Sequence, residues 1–248
     1  MAFLRSLVQF MAATILMASL CSPLQMAAQV RIPFVGCLSD GQQGPLKAPR
    51  RASKVLPITP QTAQKVAYYQ AENGVGVLAP RGWHCFGTYG SSGDSLYVSP
   101  QPINAAALFS QNWRGFSGSA IQISRSYGGT SGRFEVARVI ARVFPDHKEF
   151  VQNVIQEGIE TDFPFGPYPN DRLRYKSKNV VEYQTPGLTD GLGTASRLLN
   201  NASPIGGVAI LVGEDLDLIH LSVRLPAESA FLTPVIIQEV ERGATQRR

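Results

Sequence analysis

Four groups of residues have types and spacings that could do chemistry. His84 and Cys85 are adjacent, the combination of a thiol nucleophile with an imidazole base. Ser117 stands in Gly-Phe-Ser-Gly-Ser, one residue away from the G-x-S-x-G turn that presents a hydrolase serine, and His84, His147 and His220 are the available bases. Thr130, Ser131, Gly132 and Arg133 end a glycine-rich turn before a helical run, where backbone N–H groups and an arginine can hold an anion. His220, Ser222 and Arg224 alternate with Ile219, Leu221, Val223 and Leu225, which sets a polar triplet on one face of a strand.

Each group also has a structural reading. In an extended chain His84 and Cys85 point to opposite faces and cannot activate each other. Ser119 replaces the second glycine of the elbow, and a strand follows Ser117 where the elbow requires a helix. The 128–133 turn lacks the Lys-Ser/Thr ending of a phosphate loop, and its serine and glycines serve equally as cap and turn. Asp217 falls on the face opposite His220 and cannot orient it within the strand. The spacings H-x-x-x-H and C-x-x-C and an Asp-rich calcium loop are missing, so neither metal nor cofactor is expected. Arg172, Arg174, Lys176 and Lys178 form a basic stripe on one strand face, suited to an acidic surface or to guarding a sheet edge.

The compartment follows from the start of the chain. Residues 1–28 combine Arg5, an apolar run from Leu7 to Leu20 and the small pair Ala27-Ala28, the pattern of a cleaved secretory signal peptide. A run of about 14 residues is too short for a helical membrane span, and Leu20 precedes Cys21 where lipoprotein cleavage needs Gly, Ala or Ser. Cleavage removes Cys21 and leaves two cysteines, Cys37 and Cys85, an expected disulfide in an oxidising periplasmic or extracellular space. The mature chain is expected to be soluble, with no transmembrane segment.

Charge argues against nucleic acid. The formal net charge is +5, yet residues 29–54 carry Arg31, Lys47, Arg50, Arg51 and Lys54 against Asp40 alone, whereas from Val55 onward 17 basic side chains face 17 acidic ones. The basicity belongs to a Pro- and Gly-punctuated leader rather than to a binding face.

The elements that must position these residues read as follows. Residues 29–56 form an extended N-terminal arm tied down by Cys37, and residues 57–248 a single domain. Thr59-Pro60 opens a helix expected to run to Glu72. Residues 74–100 make a hairpin with a roomy, glycine-containing loop, and Arg81, Trp83 and His84 at its start are candidate ligand contacts. A short helix over 102–113 and a strand over 120–127 follow, with Arg125 at the strand end or paired. A helix then runs through Val136, Val139, Ile140 and Val143, Pro145 interrupts it, and Asp146 with Glu149 has capping-box spacing before a second helix. Strands are expected at 173–183, 193–199, 205–212 and 216–225, and a last helix from about Ser229 or Thr233 to Arg242. Asn201-Ala202-Ser203 fits a glycosylation sequon on a turn.

These runs predict an α+β fold, a mostly antiparallel sheet with helices packed on it. The element order is similar in layout to the small α-β-α sandwiches of the PsbP type, which implies a binding or accessory role and assigns no residue. The expected function is therefore an exported, non-catalytic domain that binds an unidentified protein or small molecule or serves the cell envelope. The alternative is a secreted hydrolase using Ser117 or a histidine base.

Overall fold

The structure is a computed structural model that describes residues 29–245. The expected signal peptide, 1–28, lies outside the described residues, as does 246–248. The chain opens with three strands, β1 (Gln29–Gly36), β2 (Leu38–Gly41) and β3 (Ser53–Pro57), then helix α1 (Pro60–Lys65) and strands β4 (Val66–Gln70) and β5 (Val77–Pro80). The hairpin is β6 (His84–Gly90) and β7 (Gly93–Ser99), followed by α2 (Ala105–Leu108) and β8 (Ala120–Ser126). Helices α3 (Arg133–Val143) and α4 (Lys148–Gln156) precede β9 (Arg172–Ser177), β10 (Val180–Thr185), β11 (Ile205–Val212) and β12 (Asp217–Arg224), and α5 (Thr233–Thr245) closes the chain.

Two sheets result. A four-stranded sheet has the order β3-β1-β4-β5, and an eight-stranded sheet the order β2-β6-β7-β8-β12-β11-β10-β9. Pairing is antiparallel except where β1 meets β4 and β2 meets β6. The chain is thus the α+β fold with a mostly antiparallel sheet that its patterning implies.

Alternation sets the two faces of the large sheet. Leu96, Val98, Ile121, Ile123, Leu221 and Val223 point to one side, where they form a core with the small sheet and with Ile236 and Val240 of α5. On the other side Val136, Val139, Ile140 and Val143 of α3 and Val151 and Val154 of α4 cover Val181, Ala209, Leu211 and Leu218. These helices shield only part of that second face. Farther along it Phe86, Tyr97, Trp113 and Phe116 make a separate aromatic cluster, with Tyr97 and Trp113 edge to face at 5.9 Å between ring centroids.

Several local expectations need correction. Helix α1 begins as predicted, with Thr59 Oγ1 accepting from Thr62 N at 3.2 Å, but it stops at Lys65. Val66-Ala67-Tyr68-Tyr69 is a buried β-branched and aromatic run that gains more by pairing with β5 than by continuing a weak helix. The hairpin loop is tight: Gly90 pairs with Gly93 and two serines make the turn. The 102–113 helix shrinks to α2. No side chain caps α4, so the Asp146–Glu149 box does not form, and Pro145–His147 is a 3-10 turn instead. The 173–183 strand is two strands, β9 and β10, folded back at Lys178-Asn179 with Asn179 N donating to Ser177 Oγ at 3.2 Å. Residues 193–199 form turns rather than a strand, bridged to Phe116 through Leu198. Arg125, expected at the strand end or paired, is both: it is the penultimate residue of β8, and Asp217 Oδ2 accepts from its Nη2 at 2.6 Å.

Strand β9 is an edge of the large sheet, where Arg174 and Lys176 both pair with Glu182. Arg172, Arg174 and Lys176 thus lie along an edge strand and two of them neutralise a carboxylate, whereas Lys178 falls in the β9–β10 turn rather than on the strand face. Cys37 and Cys85 are joined, with 5.4 Å between their Cα atoms. Among the described residues, no helix is long and apolar enough to cross a membrane.

Candidate functional site

A sheet face covered at both ends and open in the middle makes a cleft of about 760 Å³. Its floor is Ser95 and Tyr97 of β7, Gln122, Ser124 and Ser126 of β8, and His220 of β12, which all point to the same side by strand register. One wall is the entry to α3, with Gly132, Phe134, Glu135 and Arg138, and the other is the turn carrying Ser196 and Arg197. Polar side chains on a half-covered sheet face are unusual, because burial beside helices favours apolar ones.

The floor is held by hydrogen bonds beneath it. Tyr183 of β10 reaches across Gly207, where a Cβ would lie 2.5 Å from the phenol oxygen and 2.0 Å from the Leu221 carbonyl, so glycine is required there. The Tyr183 hydroxyl lies 2.8 Å from Leu221 O, 2.9 Å from His220 Nε2 and 2.7 Å from Ser222 Oγ. Burial raises the Tyr183 pKa, which keeps the phenol protonated. Arg224 is 2 % exposed and its guanidinium donates to Gly118 O at 3.0 Å, Phe116 O at 2.8 Å and Leu199 O at 2.6 Å. This one side chain ties the 110–119 and 186–202 segments to the sheet, and with them the Arg197 wall. The second wall is fixed by Arg138, which bridges Glu135 and Glu160.

Desolvation pushes the His220 pKa down from 6.5 to about 4. Between those pH values the unfolded chain takes up a proton that the folded chain refuses. Stability is therefore unaffected by this group above about pH 6.5 and falls as the pH drops toward 4, by about 3 kcal/mol in total. Urea unfolding at pH 7 and pH 4 measures the loss, and His220→Gln should flatten it. An unchanged slope in that variant would assign the acid sensitivity elsewhere.

The residues singled out in the sequence separate in space. His220 reaches the cleft floor, while Ser222 and Arg224 lie buried beneath the covering segments. Ser131 and Gly132 line the cleft. Thr130 and Arg133 are engaged locally: Thr130 Oγ1 accepts from Gly132 N at 3.2 Å, and Arg133 pairs with Glu157 and donates to Thr130 O. Arg81 caps α1 by donating to Ala63 O at 2.6 Å and Val66 O at 3.0 Å. Trp83 packs on the main core, and His84 is exposed at the start of β6. Ser117 is exposed, and its carbonyl accepts from Asn201 Nδ2 at 2.6 Å. That bond also occupies the sequon asparagine. His147 Nε2 lies 2.7 Å from Asn179 Oδ1. None of the three histidines has Ser117 as a hydrogen-bond partner among the described residues.

Sequence reasoning missed Tyr97, Gln122 and Ser124. Their signal was present as the polar side of the β8 alternation, but an alternating strand reads equally as solvent-facing. Only the strand order places that side between two covering elements.

The fold and cleft define an α+β protein with a polar cleft on one sheet face. No protein-family model, curated protein or solved structure matches the chain. Among the described residues, no group of three or more His, Cys, Asp or Glu side chains is placed to hold a metal ion.

Proposed function

We propose that this chain is an exported, non-catalytic binding domain whose cleft takes a small polar ligand. The observation that carries the reading is the polar floor: six hydrogen-bonding side chains face one open volume of about 760 Å³, a size that suits a small molecule. Export is supported by the signal-peptide pattern of residues 1–28 and by the Cys37–Cys85 cross-link, which persists in an oxidising compartment. Binding is favoured over hydrolysis because Ser117 lies outside the cleft and Cys85 is oxidised. His220 is buried and neutral, with Tyr183 as its partner rather than a carboxylate.

Thermal unfolding of the exported protein against a library of polar metabolites tests the reading. A ligand at a hundredfold its Kd stabilises by about 2.7 kcal/mol. The stabilisation should vanish in Ser95→Trp, which fills the cleft from its floor. A ligand that stabilises the Ser95→Trp variant as well as the wild type binds elsewhere and refutes the assignment. Fractionation followed by mass measurement of the exported chain tests cleavage after Ala28.

A further inference from the structure

We infer that the cleft selects a neutral, polyhydroxylated ligand, a saccharide, through Tyr97 Oη, Gln122 Nε2 and His220 Nδ1. The inference rests on the cleft being the ligand site. Tyr97 and Gln122 are register partners across β7 and β8, and His220 is the partner of Ser124, two residues from Gln122 on the same face. Such diagonal neighbours stand about 7 Å apart, within the span of one sugar ring and its hydroxyls.

All three side chains are more than nine-tenths buried, at 6 %, 8 % and 4 % exposure, and each leaves one hydrogen-bonding function unused. Gln122 Oε1 accepts from Arg197 N at 2.7 Å. Only the amide oxygen can accept there, so the orientation is fixed and the two Nε2 hydrogens remain for the cleft. The Tyr97 ring packs on Trp113 and Phe116, while its hydroxyl has no partner among the described residues. The His220 tautomer is set by Tyr183. Leu221 O can only accept, so the single phenol hydrogen goes to it, and His220 must donate from Nε2 to the phenol oxygen. In the neutral ring this leaves Nδ1 as a bare acceptor.

These functions are not sealed off. The buried side-chain atoms lacking any partner, among the described residues, are Ser39 Oγ and Glu241 Oε1, so the unused atoms of the floor have access to the open volume.

A donor pair, a bare acceptor and a hydroxyl on one face discriminate by ligand type. A carboxylate or phosphate would satisfy Gln122 and Tyr97 but set an acceptor-only oxygen against the His220 lone pair. An ammonium would satisfy His220 but oppose the Gln122 donors. A hydroxyl donates and accepts, so vicinal hydroxyls meet all three positions. The cleft lining adds little net charge, because Asp94, Glu135 and Glu160 are balanced by Arg125, Arg138 and Arg197. A site whose buried polar groups need matching hydrogen bonds rejects analogues that lack them.

Isothermal titration calorimetry of the exported, disulfide-bonded protein decides the matter. The neutral probes are glucose, N-acetylglucosamine, maltotriose and chitotriose, and the charged probes are glucuronate, citrate and spermidine. At least one neutral probe should bind saturably. Tyr97→Phe, which removes only the unpartnered hydroxyl, should weaken it about fivefold to tenfold while leaving the melting temperature in place. Gln122→Glu keeps the Arg197 contact and should weaken it at least as much. Binding of a neutral probe that Tyr97→Phe changes by less than twofold overturns the inference. Binding of charged probes only, abolished by Ser95→Trp, overturns it while the cleft stands as the ligand site. Silence from all seven probes also overturns it, and the library screen then decides separately whether the cleft binds anything.

Discussion

Replacing Arg224 with methionine should cost about 3 to 5 kcal/mol of unfolding free energy, measured by urea denaturation. The guanidinium satisfies three backbone carbonyls of two irregular segments, and it is 2 % exposed. Methionine fills much of the volume and supplies no donor, so the Gly118 and Leu199 carbonyls lose the guanidinium and Phe116 O is left with the Leu199 amide alone. Burial lowers the Arg224 pKa, and the charge is compensated by carbonyl dipoles, with no carboxylate partner among the described residues. Arg224→Lys should recover little, because an ammonium on a flexible stem lacks the planar fork that spans the three oxygens. The 110–119 and 186–202 segments should exchange amide hydrogens faster in both variants, since their anchor is gone. A loss below about 1 kcal/mol in Arg224→Met would mean that the carbonyls find other donors and that the side chain is not the clamp.

Opening the Cys37–Cys85 bond should have an effect of similar size. The closed segment spans 48 residues, for which chain entropy gives about 4 kcal/mol. That is a large share of the roughly 5 to 15 kcal/mol by which domains of this kind are stable. Position adds to it. Cys37 lies between β1, which belongs to the small sheet, and β2, which pairs with β6 of the large one, so the bond fastens the two sheets where the chain crosses between them. Urea unfolding with and without reductant, alongside the double variant Cys37→Ala/Cys85→Ala, measures the effect. Alkylation and mass spectrometry of the purified, unreduced protein must find no free thiol at Cys37 or Cys85. Two alkylated cysteines would refute the cross-link.

The fold was legible wherever a local pattern was strong. The alternations of β8, β11 and β12 and the apolar stripes of α3 and α4 each occur within a few residues of their expected limits. Patterns failed where tertiary pairing outweighed propensity. Alanine and glutamine from Thr62 to Gln70 favour a helix, yet the Val66–Tyr69 stretch is recruited by β1 and β5, and Arg81 seals the shortened helix from 15 residues away. The 193–199 segment alternates like a strand but follows the guanidinium of Arg224 and the carbonyl of Phe116 instead. Glycines 191 and 193 sit against Thr185, which accepts the Gly193 amide at 2.9 Å, an arrangement no local rule anticipates.

What the sequence by itself determined is the class: an α+β chain with a signal-peptide pattern, two cysteines that pair, and a polar triplet on β12. Those features depend on composition and on periods of two and 3.6, which a single chain carries openly. What only the tertiary structure decided is the cleft. Tyr97, Gln122 and His220 come from strands separated by up to about 120 residues, and nothing in their local sequence distinguishes a solvent-facing row from a floor between two walls. That distinction depends on strand order, on how far α3 reaches across the sheet and on the segments Arg224 holds in place, which are all long-range facts.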